Sequence, residues 1–312
     1  MTIWLIGAGS MAQEYCKVLL GLNTKFDVIG RGYESAKRFE SVTGKKVLIG
    51  GLKEVLKIHS APFTAIVAVG ILELKKTAIT LIKAGARRIL LEKPGGLSTK
   101  DLKQIQKIAK ENGAEVLIAY NRRFFASTVL ARSMMEQDGG PTSCFFEFTE
   151  WSHIIATLPT SYKVKEVWFL ANSTHVADLA FHLCGIPEQR SFWSSGSLSW
   201  HQSAARFCGA GITDRGVSFS YHANWEAPGR WGVEVLTRNH RFIFRPIEKL
   251  QIVKLGSVIS EPIDIDDALD HTYKPGLYLQ TKAFLNGEDI YLCPLSEQIR
   301  NYKIYEEMAG YA

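Results

Sequence analysis

The residues best suited to chemistry stand where an apolar run ends abruptly. Ile89-Leu90-Leu91 is followed by Glu92-Lys93-Pro94 and by two glycines. The apolar run is typical of a buried parallel strand, and the proline and glycines predict a stiff turn directly after it. Lys93 is therefore expected just past the carboxyl end of a strand, at the edge of an α/β sheet where ligands bind.

A second motif with chemical meaning lies near the N-terminus. Ile3-Trp4-Leu5-Ile6 predicts a strand that runs into Gly7-Ala8-Gly9-Ser10-Met11-Ala12, and a helical pattern follows. Gly7 would allow the tight turn, Gly9 would let the backbone approach a pyrophosphate, and Ala12 would permit close helix–strand packing. The first turn of the helix, with Ser10 and Met11, would offer amides to phosphate. This pattern favours dinucleotide binding over an ordinary glycine-rich turn.

The end of the second predicted strand, residues 26–29, bears on the choice of cofactor. A free ribose 2′-hydroxyl usually meets an acidic residue about 20 residues beyond the glycines. That position holds Arg31, and a guanidinium suits a 2′-phosphate. The sequence therefore favours NADP, with NAD as the alternative, unless Arg31 is only an exposed loop arginine. Gly70, which ends the predicted strand 65–69, is also assigned to the cofactor site.

The elements that would position these residues alternate regularly over the first part of the chain. Predicted strands at 47–49, 89–91 and 116–119 alternate with helices at 71–84 and 99–112, the latter capped by Ser98. This alternation predicts an α/β fold whose N-terminal Rossmann domain, residues 1–120, has a doubly wound parallel sheet.

From residue 143 onward the pattern changes to strands with few helices. Strand-like segments fall at 144–151, 198–200, 217–225, 232–237, 241–244 and 250–255. They predict that residues 121–312 form an α+β domain, with a largely antiparallel open sheet, for substrate binding and oligomerisation.

Composition excludes several classes of protein. An apolar fraction of 46% and a charged fraction of 22% are ordinary for a soluble globular chain of 312 residues. Five scattered cysteines without Cys-x-x-Cys predict reduced thiols, a cytoplasmic location and no metal site. No signal peptide or membrane-length apolar run is expected, and the net charge of +6 is spread without a basic tail. We therefore expect neither nucleic-acid nor membrane binding.

Together the motifs carry a family resemblance. The Gly7–Ala12 block, Glu92-Lys93-Pro94, Asn121-Arg122-Arg123-Phe124 and His175-Val176-Ala177-Asp178-Leu179 stand in this order. With them the chain resembles the glucose–fructose oxidoreductase / inositol dehydrogenase / MocA oxidoreductases. The resemblance implies an NAD(P)-dependent enzyme acting on a sugar or cyclitol hydroxyl. It also implies a homo-oligomer, a dimer or tetramer, built through one face of the second sheet.

The resemblance also implies roles for individual residues. Lys93 would lie beside the nicotinamide and the substrate hydroxyl, with Glu92 and Pro94 lining the nicotinamide site and Asn121 near the cofactor. His175 would meet the substrate. Our hypothesis is that Lys93 transfers or stabilises the hydroxyl proton and that His175 provides a second polar contact or an acid/base group.

Other residues around His175 are open to more than one interpretation. Asn172 is assigned to the substrate, although Asn172 or Ser173 could instead cap the helix. Asp178 shares a helical face with His175 and could contact substrate, orient His175, or simply favour the helix N-terminus. Many members of the family carry an aspartate four residues before the histidine, where this chain has Ala171.

The predicted substrate depends on the basic residues. Arg122, with Arg123, Lys163 and Lys165, could meet an anionic group, which favours a nucleotide sugar of surface-polysaccharide synthesis. A free sugar or cyclitol is the alternative, since these side chains could also be exposed without contacting substrate. Ala171 favours a rival of another class, a dinucleotide-binding sensor or regulatory protein that has lost turnover.

Overall fold

The structure is a computed structural model that describes residues 2–311. It divides into two compact units. The first holds the residues up to Asn121 together with Leu269–Arg300, and the second holds Arg122–Ala268 together with the residues from Asn301 onward. Among the described helices, none has both the length and the apolar character needed to cross a membrane.

The first unit contains a mainly parallel sheet. Its strands are β1 (Ile3–Ile6), β2 (Phe26–Ile29), β3 (Val47–Leu48), β4 (Thr64–Val67), β5 (Arg88–Glu92), β6 (Glu115–Ala119) and, later in the chain, β15 (Cys293–Pro294). Their order is β15-β6-β5-β4-β1-β2-β3, in which β15 alone of the described strands is antiparallel. The order reverses between β1 and β4, so the predicted doubly wound parallel sheet is confirmed.

Helices connect these strands. They are α1 (Ser10–Gly21), α2 (Tyr33–Thr43), α3 (Leu52–Val55), α4 (Ile71–Lys83), α5 (Thr99–Glu111), α10 (Ala268–Thr272), α11 (Leu277–Asn286) and the start of α12 (Leu295–Ala309). The predicted cap of α5 is confirmed, because the Ser98 hydroxyl accepts a hydrogen bond from the Asp101 amide at 3.2 Å. β1 and β4 are buried along their whole length, as expected of central parallel strands.

The second unit contains a largely antiparallel sheet. Its strands are β7 (Ser143–Glu147), β8 (Pro187–Ser195), β9 (Arg206–Thr213), β10 (Ser218–Asn224), β11 (Gly232–Leu236), β12 (His240–Phe244), β13 (Gln251–Lys254) and β14 (Glu261–Pro262). Their order is β14-β13-β12-β11-β7-β10-β9-β8. Among the described pairs only β7 and β10 run parallel, so the predicted open, mainly antiparallel sheet is confirmed.

The helices of this unit are α6 (Ala126–Gln137), α7 (Ser152–Thr157), α8 (Tyr162–Lys165), α9 (Thr174–Cys184) and the rest of α12. α9 covers one face of the sheet. The ring of Phe181 on α9 meets Phe146 on β7 edge-to-face at 5.6 Å and stacks on Tyr305 of α12 at 6.2 Å. These aromatic contacts fix α9, which carries His175, against the sheet.

In the second unit one predicted strand is wrong and two strands were not predicted. The segment 198–200 is a turn joined only by a bridge between Leu198 and His201. β8 and β9 went unpredicted because β8 is mostly exposed and β9 carries glycines at alternate inward positions, Gly209 and Gly211. Neither strand therefore shows the alternation of large apolar and polar residues on which prediction depends.

Candidate functional site

The turn after β1 has room for nothing larger than glycine at its first position. Gly7 has φ +130°, and a Cβ there would stand 2.1 Å from the Ala68 carbonyl oxygen. β1 and β4 are neighbours in the sheet. The backbone at Ala68, which directly follows β4, therefore fills the space beside Gly7, which directly follows β1. Gly9 differs, because a Cβ there would meet no heavy atom within 4 Å. The space beside Gly9 is therefore open where α1 begins, and the amides of its first turn have no acceptor within the helix.

A cavity of about 480 Å³ lies at this edge of the first sheet. It brings together Gly7, Gly9, Arg31 and Gly70, which the sequence assigned to the cofactor from three separate segments. It opens where the strand order reverses between β1 and β4, the place where doubly wound folds bind ligands. The open space at Gly9 and the amides of α1 fit a pyrophosphate.

Positively charged residues line one end of this cavity. Arg31 has a side chain that is 81% exposed, and its Nη1 lies 3.8 Å from the Glu73 carboxylate. Ser35 and Lys53 line the same cavity, and sequence reasoning missed both. The Ser35 hydroxyl donates a hydrogen bond to the Gly32 carbonyl at 2.9 Å, so the two cations, Arg31 and Lys53, are the groups that suit a phosphate monoester.

The other residues of the N-terminal motif differ in exposure. Ser10 is exposed, Met11 is half-buried, and Ala12 is fully buried. Ala12 therefore serves helix packing through its small side chain, as its place in the motif predicts.

Lys93 follows the last residue of β5, as predicted, and is half-buried. The preceding Glu92 is 9% exposed, and its Oε1 accepts a hydrogen bond from the Tyr15 hydroxyl at 2.9 Å. Burial raises the pKa of Glu92 above its usual range, against the opposing effects of Lys93, Tyr15 and Lys274. The turn that carries Lys93 thus begins at a buried, titratable carboxyl.

Neighbouring segments of the first unit hold this turn in place. Gln298 donates hydrogen bonds to the Pro94 carbonyl at 3.0 Å and to the Tyr120 hydroxyl at 3.1 Å. Asn121 donates to the Pro275 carbonyl at 2.9 Å. The sequence did not indicate that the segment Leu269–Arg300 would supply these partners.

In the second unit, His175 lies in the first turn of α9 and is 7% exposed. A π-helical turn, Phe169–Ser173, leads into α9. Asn172 and Ser173 both donate hydrogen bonds to the Glu150 Oε1, at 3.0 and 2.7 Å. The prediction that one of these side chains caps the helix is wrong, because the chain enters α9 in helical conformation through the π-helical turn and the Ser173 hydroxyl accepts no hydrogen bond from the helix amides.

Glu150 is a feature of this site that sequence reasoning missed. Its side chain is 2% exposed, and its Oε2 lies 3.6 Å from the Arg230 Nη1. Burial raises the pKa of Glu150, and the hydrogen bonds from Ser173 and Asn172 lower it in part. Glu150 went unnoticed because it stands in an aromatic run that was taken as a strand to residue 151, whereas β7 ends at Glu147.

Cationic groups surround the indole of Trp231 near His175. The guanidinium carbons of Arg122 and Arg230 lie 4.9 and 4.7 Å from the Trp231 ring, and the His175 ring centre lies 6.1 Å away. Burial lowers the pKa of Arg122 to about 10, while Glu248 and Glu150 oppose this shift. Arg122 therefore remains positively charged at neutral pH.

Asp178 is held in a buried ion pair. Its two carboxylate oxygens accept hydrogen bonds from the Arg123 Nε and Nη2 at 2.9 and 2.6 Å. The Asp178 side chain is fully buried and that of Arg123 is 2% exposed. This two-point pairing joins the start of the second unit to α9 and favours a structural role for Asp178.

No protein-family model matches the sequence, and no curated protein matches it. Solved structures do match. UDP-N-acetylglucosamine 3-dehydrogenase GnnA from Acidithiobacillus ferrooxidans is 15% identical with a TM-score of 0.77, over 99% of this chain and 96% of that one. The chain shares its fold.

Two further structures are similar over the whole chain. Levoglucosan dehydrogenase, solved in complex with NADH, is 14% identical with a TM-score of 0.81, over 100% of this chain and 97% of that one. An NAD-binding oxidoreductase from Klebsiella pneumoniae is 14% identical with a TM-score of 0.76 and the same coverage of both chains. At such low identity the likeness is one of fold.

Proposed function

We propose that the chain is an NAD(P)-dependent oxidoreductase that transfers a hydride between the nicotinamide and a hydroxyl or carbonyl carbon of a sugar. The observation that carries this proposal is the cavity at the strand-order reversal, which unites Gly7, Gly9, Arg31 and Gly70. The fold shared with two sugar dehydrogenases, one solved with NADH, supports it. So does the resemblance to the glucose–fructose oxidoreductase / inositol dehydrogenase / MocA family.

In this proposal the first unit holds the dinucleotide. Gly9 and the amides of Ser10, Met11 and Ala12 bind the pyrophosphate, Gly7 leaves room for the backbone at Ala68, and Gly70 lies in the lining of the same cavity. The bound nicotinamide supplies the hydride acceptor or donor. Glu92, Pro94 and Asn121 belong to its surroundings, and the hydrogen bonds from Tyr15 and Gln298 support that assignment by fixing Glu92 and Pro94.

The proposed catalytic groups are Lys93 and His175. Lys93 transfers or stabilises the hydroxyl proton, and its half-buried place after β5 supports this role because a charged amine near a reacting oxygen stabilises negative charge there. His175 provides a second polar contact to the substrate or acts as an acid/base group. Arg122 and Asn172 are the other proposed substrate residues, with Asp178 acting through its hold on Arg123.

We propose NADP rather than NAD, because the cations Arg31 and Lys53 line the cavity. Replacing Arg31 with Ser should raise the Kd for NADPH by about tenfold or more, since hydrogen bonds to charged groups contribute about 1.5–3 kcal/mol. Titration of NADPH fluorescence measures this, and NADH affinity should stay unchanged. Arg38→Ser, on the exposed part of α2, is the matched control. Equal losses for NADPH and NADH would contradict the NADP assignment.

The proposed substrate is a nucleotide-activated sugar, as in surface-polysaccharide synthesis, with a free sugar or cyclitol as the alternative. The positively charged group of Arg122 and Arg230 around Trp231 supports an anionic portion of the substrate. Absorbance at 340 nm with NADP⁺ and a panel of UDP-N-acetylglucosamine, D-glucose and myo-inositol tests the function. Substrate-dependent reduction of NADP⁺ would support it.

The rival is a dinucleotide-binding sensor that has lost turnover, which Ala171 favours. A sensor would bind NADPH and bind a sugar without reducing NADP⁺. An assembly module without cofactor leaves the cavity beside Gly7 and Gly9 unexplained, and failure to bind NADPH or NADH would favour it over both other functions.

We further propose a homo-oligomer, a dimer or tetramer, in the cytoplasm. One face of β8 and β9 exposes Trp193 (60%) and Ile212 (39%), which supports association through this sheet. The odd number and scattered positions of the five cysteines, without Cys-x-x-Cys, support reduced thiols and the cytoplasmic location. Light scattering after size-exclusion chromatography measures the subunit number, and a monomer at all concentrations would contradict the oligomer.

A further inference from the structure

A second cavity lies wholly within the second unit, beyond the carboxyl end of β7. It encloses about 640 Å³, inside the range of about 300–1,000 Å³ that small-molecule sites occupy. Its walls include Glu150, Trp151, Trp200 and Glu226. None of these residues was assigned to the substrate from the sequence.

Glu150 gives this cavity a fixed polar centre. Its side chain is 2% exposed, and its Oε1 is held by Asn172 and Ser173. Its Oε2 is 3.6 Å from the Arg230 Nη1, longer than a hydrogen bond. Burying a carboxylate is costly unless polar groups surround it, and its two oxygens can accept about four hydrogen bonds. The site therefore has acceptor capacity for hydroxyl donors of a ligand.

Tryptophans give the cavity apolar walls. Trp151 is 49% exposed, and its indole is held by a hydrogen bond of 3.1 Å from Nε1 to the Gly229 carbonyl. Trp200 stacks on Trp225 at 5.6 Å with an interplanar angle of 10°. Rigid indoles beside a carboxylate suit a sugar, which presents C–H groups on its ring faces and hydroxyls around its edge.

The charges of the lining restrict the ligand further. Glu150 and Glu226 both border the cavity, and each has an arginine beside it: Arg230 lies 3.6 Å from Glu150 and Arg206 lies 3.5 Å from Glu226. These pairs leave no excess positive charge in the lining for a phosphate, whereas the carboxylate oxygens can accept hydrogen bonds from the hydroxyls of a neutral polyol. We propose that this cavity is a carbohydrate subsite in which Glu150 accepts hydrogen bonds from sugar hydroxyls and Trp151 packs against the ring.

This subsite deepens the proposed function and rests on it for the class of ligand. The turn Phe169–Ser173, whose Asn172 and Ser173 hold Glu150, runs directly into the helix that begins with Thr174 and His175. Glu150 and His175 are thus positioned by one continuous segment of chain. A sugar bound at Glu150 would be oriented relative to His175 by that segment.

Binding without turnover tests the subsite. Tryptophan fluorescence and calorimetry are recorded on the full chain with D-glucose, N-acetylglucosamine, myo-inositol and UDP-N-acetylglucosamine, with and without NADP⁺. At least one probe should bind saturably, and Glu150→Gln and Trp151→Ala should each raise its Kd by about tenfold or more. Glu150→Gln keeps an oxygen for Asn172 and Ser173, so this variant should remain folded, as thermal melting will report.

Glu147→Gln is the matched control, because Glu147 lies on β7, pairs with Arg245 at 3.0 Å and does not line the cavity. It should leave probe affinity unchanged. Undiminished binding in both Glu150→Gln and Trp151→Ala would overturn the subsite, and so would the absence of saturable binding by every probe. Probe binding that depends on Glu150 without reduction of NADP⁺ would support the subsite while contradicting the proposed oxidoreductase.

Discussion

At the scale of single residues, Gly7 has the least space of the glycines that line the cavity beside β1 and β4. Gly7→Ala would place a Cβ 2.1 Å from the Ala68 oxygen, whereas Gly85→Ala, at φ +113°, meets no atom within 4 Å. Both changes place alanine at a positive φ and so strain the backbone, but only Gly7→Ala also creates a clash with a neighbouring atom. We expect the first to cost about 1–3 kcal/mol more in the free energy of unfolding than the second, as measured in urea. An equal loss of unfolding free energy in the two variants would contradict this expectation, because it would show that the turn at Gly7 shifts easily to accommodate a Cβ.

Glu92 gives a prediction about pH. Because burial raises its pKa in the folded state, the folded chain binds the proton more tightly than the unfolded chain. The stability that Glu92 contributes is therefore fully present below the unfolded pKa of about 4.3 and is lost as pH rises through the raised folded value. Glu92→Gln keeps an acceptor for Tyr15 and removes the charge, so it should gain stability relative to wild type as pH rises.

Urea unfolding midpoints of both proteins across this pH range provide the measurement. Tyr15→Phe is the matching variant: it removes a hydrogen bond that lowers the pKa of Glu92, so the loss of stability should move to higher pH. A difference between wild type and Glu92→Gln that stays constant with pH would contradict the assignment.

At the scale of elements, the Arg123–Asp178 pair is the main polar tie between the start of the second unit and α9. Arg123→Met should cost about 3–5 kcal/mol, because it leaves the Asp178 carboxylate buried without its partner. The double variant Arg123→Met/Asp178→Leu should recover much of that loss, since no buried charge remains. Chemical unfolding measures both, and a double variant as unstable as the sum of its single variants would contradict the explanation.

The elements also show what the sequence can and cannot predict. β1, β4 and β5 were predictable because central parallel strands are continuous apolar runs bounded by glycine or proline. The cap at Ser98 was predictable because it is a local hydrogen bond. The contacts of Leu269–Arg300 with the rest of the first unit were not predictable, because Gln298 and Pro94 lie far apart in the sequence and meet only in the tertiary fold.

The same distinction applies to the candidate site. Gly7, Gly9 and Lys93 lie in short motifs whose spacing reflects a turn, so the sequence locates them. Glu150 meets Asn172 and Ser173 across 22 and 23 residues, and no local pattern records that contact. A local motif cannot reveal a carboxylate that another element of the fold supplies. Ala171 indicates only that the aspartate usual at its position is missing.

At the scale of the whole molecule, different observations support the fold and the proposed chemistry. The strand order and the likeness to solved dehydrogenases establish a two-sheet architecture over the full chain. The same architecture would serve a sensor as well as an enzyme, because both need the dinucleotide cavity. Under the proposed function, an enzyme differs from a sensor in that Lys93 handles a proton during hydride transfer.

Reduction of NADP⁺, followed at 340 nm in wild type and in Lys93→Met, tests this claim most directly. We predict sugar-dependent reduction by wild type and a loss of about 100-fold or more in kcat for Lys93→Met, with NADPH still bound. Turnover by Lys93→Met close to that of wild type would contradict the account, since the residue on which the proposed chemistry depends would then be dispensable.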